Sequence, residues 1–575
     1  MGVCGLVDQL NRLRKSSSDS IDNEKKFDIF KQYMHVNRDV ESDLKEILRH
    51  VNASHQKTLV LLCGSAGDGK SHMLSYLKNS DEEKLLENFR IHNDATESSA
   101  PDKTAIETLS DVLNGFSDEN IDMPGKNYIL AINLGVLNNF IESSYGENFK
   151  KMRKYVNENC ILSTEIIENG YKTDSVFQHV SFADYQLYTL SQKGVCSEYI
   201  ESLLEKIFGH NNQNIFLQSF YHDCGSCALQ KNCPVKYNFS FLRNENVRKY
   251  ISAMLIMSII KEKDILTTRE ILNYIYDITV PQDFTYTGLS DVLANTSIML
   301  KYFVNRLTPS LMFEQNGVST IMEHIKRNDP ILDRNEQSDD FAIEYYVASD
   351  ERLVLENTLS NNPYRNVILQ DECIDNINND RDVKSIMFKC LIRIIAIENN
   401  QVNDRVYESY ISALYNYNAG LQKKMGALYE AVEKAVLQWC GTDGDNHLCL
   451  NGTDSKYSLF EQVEFDADLN AIPNEKDQEE LKRFIPELKV GYLVEKSKES
   501  ILLEIDYSLY ELILRLNNGY IHTANDKNNH ADFISFMERI LKNGNADEEL
   551  FIISKEGRHA SLRKTKFGYK FGVVR

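Results

Sequence analysis

Long hydrophobic runs are missing from this 575-residue chain. The longest nearly apolar stretch, ISAMLIMSII at 251–260, is ten residues. A bilayer crossing needs about 20, so no membrane span is expected. The first residues, MGVCGLVDQLNRLRKSS, lack the apolar core of a secretory signal. Gly2 is followed at position 6 by Leu6, where N-myristoylation wants Ser or Thr. A cytoplasmic protein is the expectation. Positive charge is also short: 64 Lys and Arg face 85 Asp and Glu, a net −21. That field repels nucleic acid at long range and argues against sequence-independent DNA binding by the whole chain, while leaving room for a local basic groove. No internal repeat of 20–50 residues and no low-complexity window is visible. Asp506, Asp526, His530 and Asp532 resemble nuclease carboxylates only superficially, and no P-D-x(n)-E-x-K pattern accompanies them.

What is present describes a folded protein: 42% hydrophobic and 26% charged residues. At about 100–200 residues per domain, the length suggests several units. Residues 1–50 read as a charged helical segment, with Phe27, Phe30, Tyr33 and Met34 at helical spacing after a polar Ser16–Ser20 loop. From 58 the pattern changes to alternating strands and helices, which implies a parallel sheet.

The sharpest motif is Gly64-Ser-Ala-Gly-Asp-Gly-Lys-Ser71, which fits G-x-x-x-x-G-K-S. A buried-type strand, TLVLL, precedes it and an amphipathic helix follows. Glycines let the backbone curl so that successive N–H groups point inward at a helix N-terminus. Lys70 can reach the β- and γ-phosphates, and Ser71 offers a hydroxyl to Mg²⁺. The expected cradle is Gly64, Ser65, Ala66, Gly67, Asp68, Gly69, Lys70, Ser71 and His72, with ATP and Mg²⁺ as its ligands. The bland alternative is a Gly-rich strand-to-helix turn with an incidental lysine.

The acidic partner of the metal is less clear. NYILAINLG has the apolar run of a Walker B strand but ends in Asn133, which suits orienting a water better than holding a cation. Asp94, in FRIHNDATES, is the other candidate, or else a helix cap. In LTTREILNYIYDI, Thr267 or Thr268 would cap a lid helix, with Glu270 in its first turn. Arg269 lies where it could sense a γ-phosphate or simply face solvent. Arg243 and Arg248 are candidate fingers acting in trans if the chain forms a homo-oligomer.

Eleven cysteines with no secretion signal argue for reduced thiols and a metal site. Cys224-x2-Cys227-x5-Cys233-Pro forms a chelating knuckle suited to structural Zn²⁺, less so to an iron–sulfur cluster. Its fourth ligand is open among His222, Cys196 and Cys160; three reduced thiols in a compact loop are the alternative. At the C-terminus seven basic residues interleave with Phe567, Tyr569 and Phe571. This pattern fits an edge strand better than a nucleic-acid contact.

The expected fold is therefore an α/β P-loop NTPase core, AAA-like, with a helical lid, a mostly α-helical middle region and a small α+β C-terminal domain. The expected boundaries are 1–50 (N-terminal helices), 51–240 (core, with a Cys-rich insertion near 222–234), 241–330 (lid), 341–440 (helical) and 456–575 (α+β). Several segments together resemble the DptF family of DNA phosphorothioation-dependent restriction systems. They are FKQYMHV, GSAGDGKSH, IHNDATESSAPDKTAIETL, YILAINLGVL, the cysteine knuckle, LTTREILNYIYDITVPQDF, and LTPSLMFE with RNDP. The resemblance covers much of 1–340 and more loosely the rest. It implies bacterial defence with DptG- and DptH-like partners, DNA met through that complex, and a nucleotide-driven step in restricting unmodified DNA. It carries phosphate-binding roles onto Gly64, Gly67, Gly69, Lys70 and Ser71, and no nuclease residue.

Overall fold

The computed structural model describes residues 4–18, 29–54, 56–65, 67–80, 83–93, 104–163, 170–284, 296–347, 350–443, 447–450, 456–494, 499–544 and 548–574. It opens with the helices α1 (Gly5–Ser18), α2 (Ile29–Met34) and α3 (Asp39–Ser54). Leu6, Leu10 and Leu13 recur at helical spacing and are fully buried. That stripe carries α1 into the first serines of the expected polar loop, because tertiary burial outweighs weak local propensity.

A parallel sheet follows. Its strands are β1 (Leu59–Cys63), β2 (Phe89–His92), β3 (Asn127–Ile132) and β4 (Phe177–Ser181), in the order β2-β3-β1-β4. The crossovers contain α4 (Lys70–Ser80), α5 (Ala105–Leu113), α6 (Leu134–Glu142) and α7 (Lys150–Glu158). Every residue of β1 is buried, because LVLLC is apolar on both faces and helices cover both. Leu59, Leu61 and Cys63 face a core with Leu109 of α5, Phe140 of α6 and Met152 of α7. Val60 and Leu62 face the opposite core, with Leu44 and Leu48 of α3 and Leu74 of α4. The registers Cys63↔Ile132 and Cys63↔Ser181 bring the C-terminal ends of β3 and β4 beside the exit of β1.

After β4 come β5 (Thr189–Ser191) and β6 (Gly194–Cys196), then α8 (Glu198–Phe208), α9 (Ile215–Ser226), α10 (Pro234–Leu242), α11 (Glu245–Glu262) and α12 (Thr268–Asp277). The stretch 197–242, irregular in sequence pattern, is thus largely helical. Its helices start at Ser197, Asn214 and Pro234, two side-chain caps and a proline at the first turn. Further helices continue to residue 440. Among them Arg393 is buried and clamps Asp329 with both Nε (3.1 Å) and Nη2 (2.7 Å), while Nη1 reaches Glu314 at 2.6 Å.

The chain divides into two compact units. One comprises Met1–Tyr188 and Cys196–Asn403; the other comprises Thr189–Val195 and Asp404–Arg575. The second unit holds antiparallel sheets. β7 (His447–Cys449), β8 (Tyr457–Gln462), β13 (Glu549–Ser554), β14 (His559–Thr565) and β15 (Gly568–Val574) form one, ordered β15-β14-β13-β8-β7. β9 (Phe465–Ala467), β11 (Leu488–Val494) and β12 (Ile501–Ile505) form another, and β10 (Glu480–Leu481) pairs with β5. β15 is an edge strand, as its alternation predicts, with Tyr569, Phe571 and Val573 exposed on one face. Among the described residues no helix is long and apolar enough to cross a membrane.

Candidate nucleotide-binding site

The glycine loop leaves β1 at the middle of the sheet and enters α4 at Lys70. Gly67 and Gly69 have φ of +92° and +96°, a region that side chains disfavour. At Gly67 a Cβ would also lie 3.0 Å from the Thr267 side chain, and at Gly64 it would lie 2.9 Å from Phe182 Cβ. The Gly64 N–H donates to the Ile132 carbonyl at 3.2 Å, continuing the β1–β3 pairing into the loop.

Lys70 folds back over this loop. Its Nζ donates to the carbonyls of Gly64 (2.9 Å) and Ser65 (2.7 Å). The Asp68 carboxylate accepts from the Ser65 N–H at 2.5 Å, so one amide of the cradle already holds an oxyanion. Burial raises the Asp68 carboxyl above the usual range, and the Lys70 and Arg38 charges oppose that rise. Ser71 is the second residue of α4. Ala66 lies outside the described residues.

Two other segments wall the loop. From the side of α12, Thr267 caps that helix in a capping box with Glu270, so Thr267 rather than Thr268 is the cap. Thr268 Oγ1 bonds the Tyr199 hydroxyl at 2.7 Å and lies within 3.9 Å of a Cβ placed on Gly69. Arg269 follows directly in the first turn of α12. From the N-terminal side, the helical stretch expected through 27–51 breaks between Met34 and Asp39. Arg38, in that break, donates from Nη1 to the Asp68 carbonyl at 3.1 Å, its guanidinium 5.0 Å from the Phe182 and Tyr199 rings. His35 Nδ1 sits 3.3 Å from His72 Nε2, and His35 Nε2 lies 3.0 Å from Glu41. Burial first, and then the His35 charge, push His72 down to about 4.

Asn133 terminates β3 beside the loop, but its side chain caps α6 by accepting from the Gly135 N–H at 2.8 Å. Asp94 lies outside the described residues. Asp184, in the turn after β4, was not singled out from sequence. Its charge and that of Lys70 both act on the Cys63 thiol, which burial pushes up to about 12. Arg38 and Tyr199 were missed as well. The faint signal for Arg38 was a basic residue just before the acidic start of α3. Arg248 reaches Glu205 at 2.6 Å and Arg243 reaches His210 at 2.9 Å, so the two finger candidates already have partners within the chain.

Cys224 lies in the last turn of α9, Cys227 caps that helix, and Cys233 precedes α10. His222 is exposed and pairs with Asp223 at 2.9 Å. Among the described residues no group of three or more His, Cys, Asp or Glu side chains is arranged to hold a metal ion. No family profile, curated protein or solved structure matches this chain.

Proposed function

We propose that this chain is the ATP-binding and ATP-hydrolysing subunit of a bacterial DNA restriction complex that acts on DNA lacking phosphorothioate modification, with DptG- and DptH-like partners. In this reading the parallel sheet is an AAA-like P-loop NTPase core and α12 begins its lid. The observation that carries the nucleotide part is the curled loop at the exit of β1. It has two glycines at positive φ, a lysine at the first position of α4 and Thr267–Thr268 across from it. Anion binding at such a helix start follows from its unpaired N–H groups and dipole. Lys70 would leave the loop carbonyls for the phosphates, and Ser71 would hold Mg²⁺. The restriction role rests on the sequence resemblance, and the net charge of −21 agrees with DNA being met through partners.

A second reading, a regulatory switch or scaffold that binds nucleotide and turns it over slowly, has its own support. Asn133 is spent on a helix cap, and the Asp68 carboxylate occupies a cradle amide. ATP binding and hydrolysis by wild type and Lys70→Ala, alone and with DNA and partner subunits, separate the two. Turnover stimulated by DNA plus partners and abolished in K70A is expected. Binding without turnover in every condition would favour the switch, and absence of binding would sink both.

A further inference from the structure

Cys4 directly precedes α1, 220 residues before the knuckle, yet it lies beside it. α1 packs along α9. The contact is intimate at Gly5, where a Cβ would come within 2.1 Å of the Asp223 carboxylate. Gly5 adjoins Cys4 and Asp223 adjoins Cys224, so two backbone neighbours in contact bring the two thiols to one place. The knuckle is itself tightly wound. Cys227 N–H donates to the Cys224 carbonyl (3.4 Å), Gln230 N–H to the Cys227 carbonyl (3.2 Å) and Tyr237 N–H to the Cys233 carbonyl (3.3 Å). The Tyr237 hydroxyl closes the loop on the Lys231 carbonyl at 2.8 Å. Cys224 and Cys233 are buried, and all four are free thiols.

We propose that Cys4, Cys224, Cys227 and Cys233 form a four-thiolate metal centre, with Cys4 as the ligand that C-x2-C-x5-C lacks, and with zinc as its occupant. The grouping rests on the packing of α1 along α9, which sets Gly5 against Asp223 and so Cys4 beside the knuckle. Each thiol would release its proton to solvent on ligation. The side chains as placed are not in ligating array. Metal binding would have to draw the four side chains into that array from other rotamers. A four-cysteine set with a two-residue chelate is the pattern of a closed structural site. The same set can hold an iron–sulfur cluster, so the experiment distinguishes the two.

The centre also has a mechanical consequence. α1 packs on α12 as well as α9, and Arg14 of α1 pairs with Asp277 at the end of α12. Metal at Cys4 would therefore anchor the strut beneath the helix whose start faces the glycine loop.

Metal analysis of the full chain, purified under reducing conditions, tests this whatever the outcome for nucleotide binding. One equivalent of zinc is expected, lost in Cys4→Ser to the same extent as in Cys224→Ser and retained in Cys196→Ser and Cys160→Ser. Cys4→His, which keeps a donor, should restore zinc. Leu10→Ala, which loosens α1 without touching a thiol, should keep it. Iron with sulfide and a visible charge-transfer band, showing the same dependence on Cys4, would support the site with a different occupant. Metal retained in C4S but lost in C224S would overturn Cys4 as a ligand, as would loss in L10A matching that in C4S. No metal in wild type, even after reconstitution with zinc or with iron and sulfide, would overturn the centre.

Discussion

Arg38 does at one residue what a loop of glycines cannot do for itself. Gly67 and Gly69 supply the curl but no restraint, and glycine gives up more backbone freedom on ordering than any other residue. Arg38 supplies the restraint by bonding the Asp68 carbonyl while its planar head lies against Phe182 and Tyr199. A charged hydrogen bond is worth roughly 1.5–3 kcal/mol when its partner is left unpaired. Arg38→Gln should therefore weaken ATP binding by about tenfold or more, read by titration calorimetry, with the circular dichroism spectrum unchanged. Arg38→Lys should not rescue it, because an ammonium cannot stack on both rings and bond the carbonyl together. Wild-type affinity in R38Q would remove Arg38 from the site.

At the scale of elements, strand, turn and helix around the loop were legible because each depends on near neighbours in sequence. LVLLC is apolar on both faces, the glycines are spaced for the curl, and Thr267-x-x-Glu270 is a capping box by pattern alone. What stayed hidden depends on distant segments meeting. Arg38 reaches a loop 30 residues on, and Asp184 arrives in the turn after β4. Cys4 joins the knuckle through one face of α1. No periodicity encodes such meetings. Asn133 shows the converse: its place beside the loop was readable, but its use as a helix cap appeared only with α6. The capping box makes its own prediction. Thr267 both caps α12 and presses its side chain on Gly67, so Thr267→Ala should cost about 1 kcal/mol of stability. It should also raise the Kd for ATP, which Thr267→Ser, keeping the hydroxyl, should largely spare. Equal affinity in wild type and T267A would mean that the start of α12 does not govern the loop.

For the whole molecule, pH tests how the first unit is held together. It holds His72, half-buried, and His179, buried, in neutral form, each pushed down to about 4, first by desolvation. His72 faces His35, with Lys31 and Glu41 acting on it; His179 bonds the Tyr155 hydroxyl at 2.9 Å with Lys172 acting on it. An unfolded histidine protonates near 6.5. Above that value both states are neutral and the burial stabilises in full. As pH falls from about 6.5 to about 4 the unfolded chain takes up protons that the fold refuses, and stability drops. Acid also relieves the repulsion within a −21 chain, an opposing slope common to wild type and variants. The informative quantity is thus their difference. His179→Gln keeps an acceptor for Tyr155 but cannot take up a proton. It should flatten the loss of stability between pH 6.5 and 4.5 by up to ~1.4 kcal/mol per pH unit, the slope of one proton. Circular dichroism follows helix content, most of which lies in the first unit. The single tryptophan, Trp439, stacks on His522 at 4.0 Å in the second unit and reports that unit separately. A wild-type slope in H179Q would show that His179 charges in the fold as readily as in the open chain, and that the sheet beside β1 is wetter than its packing implies.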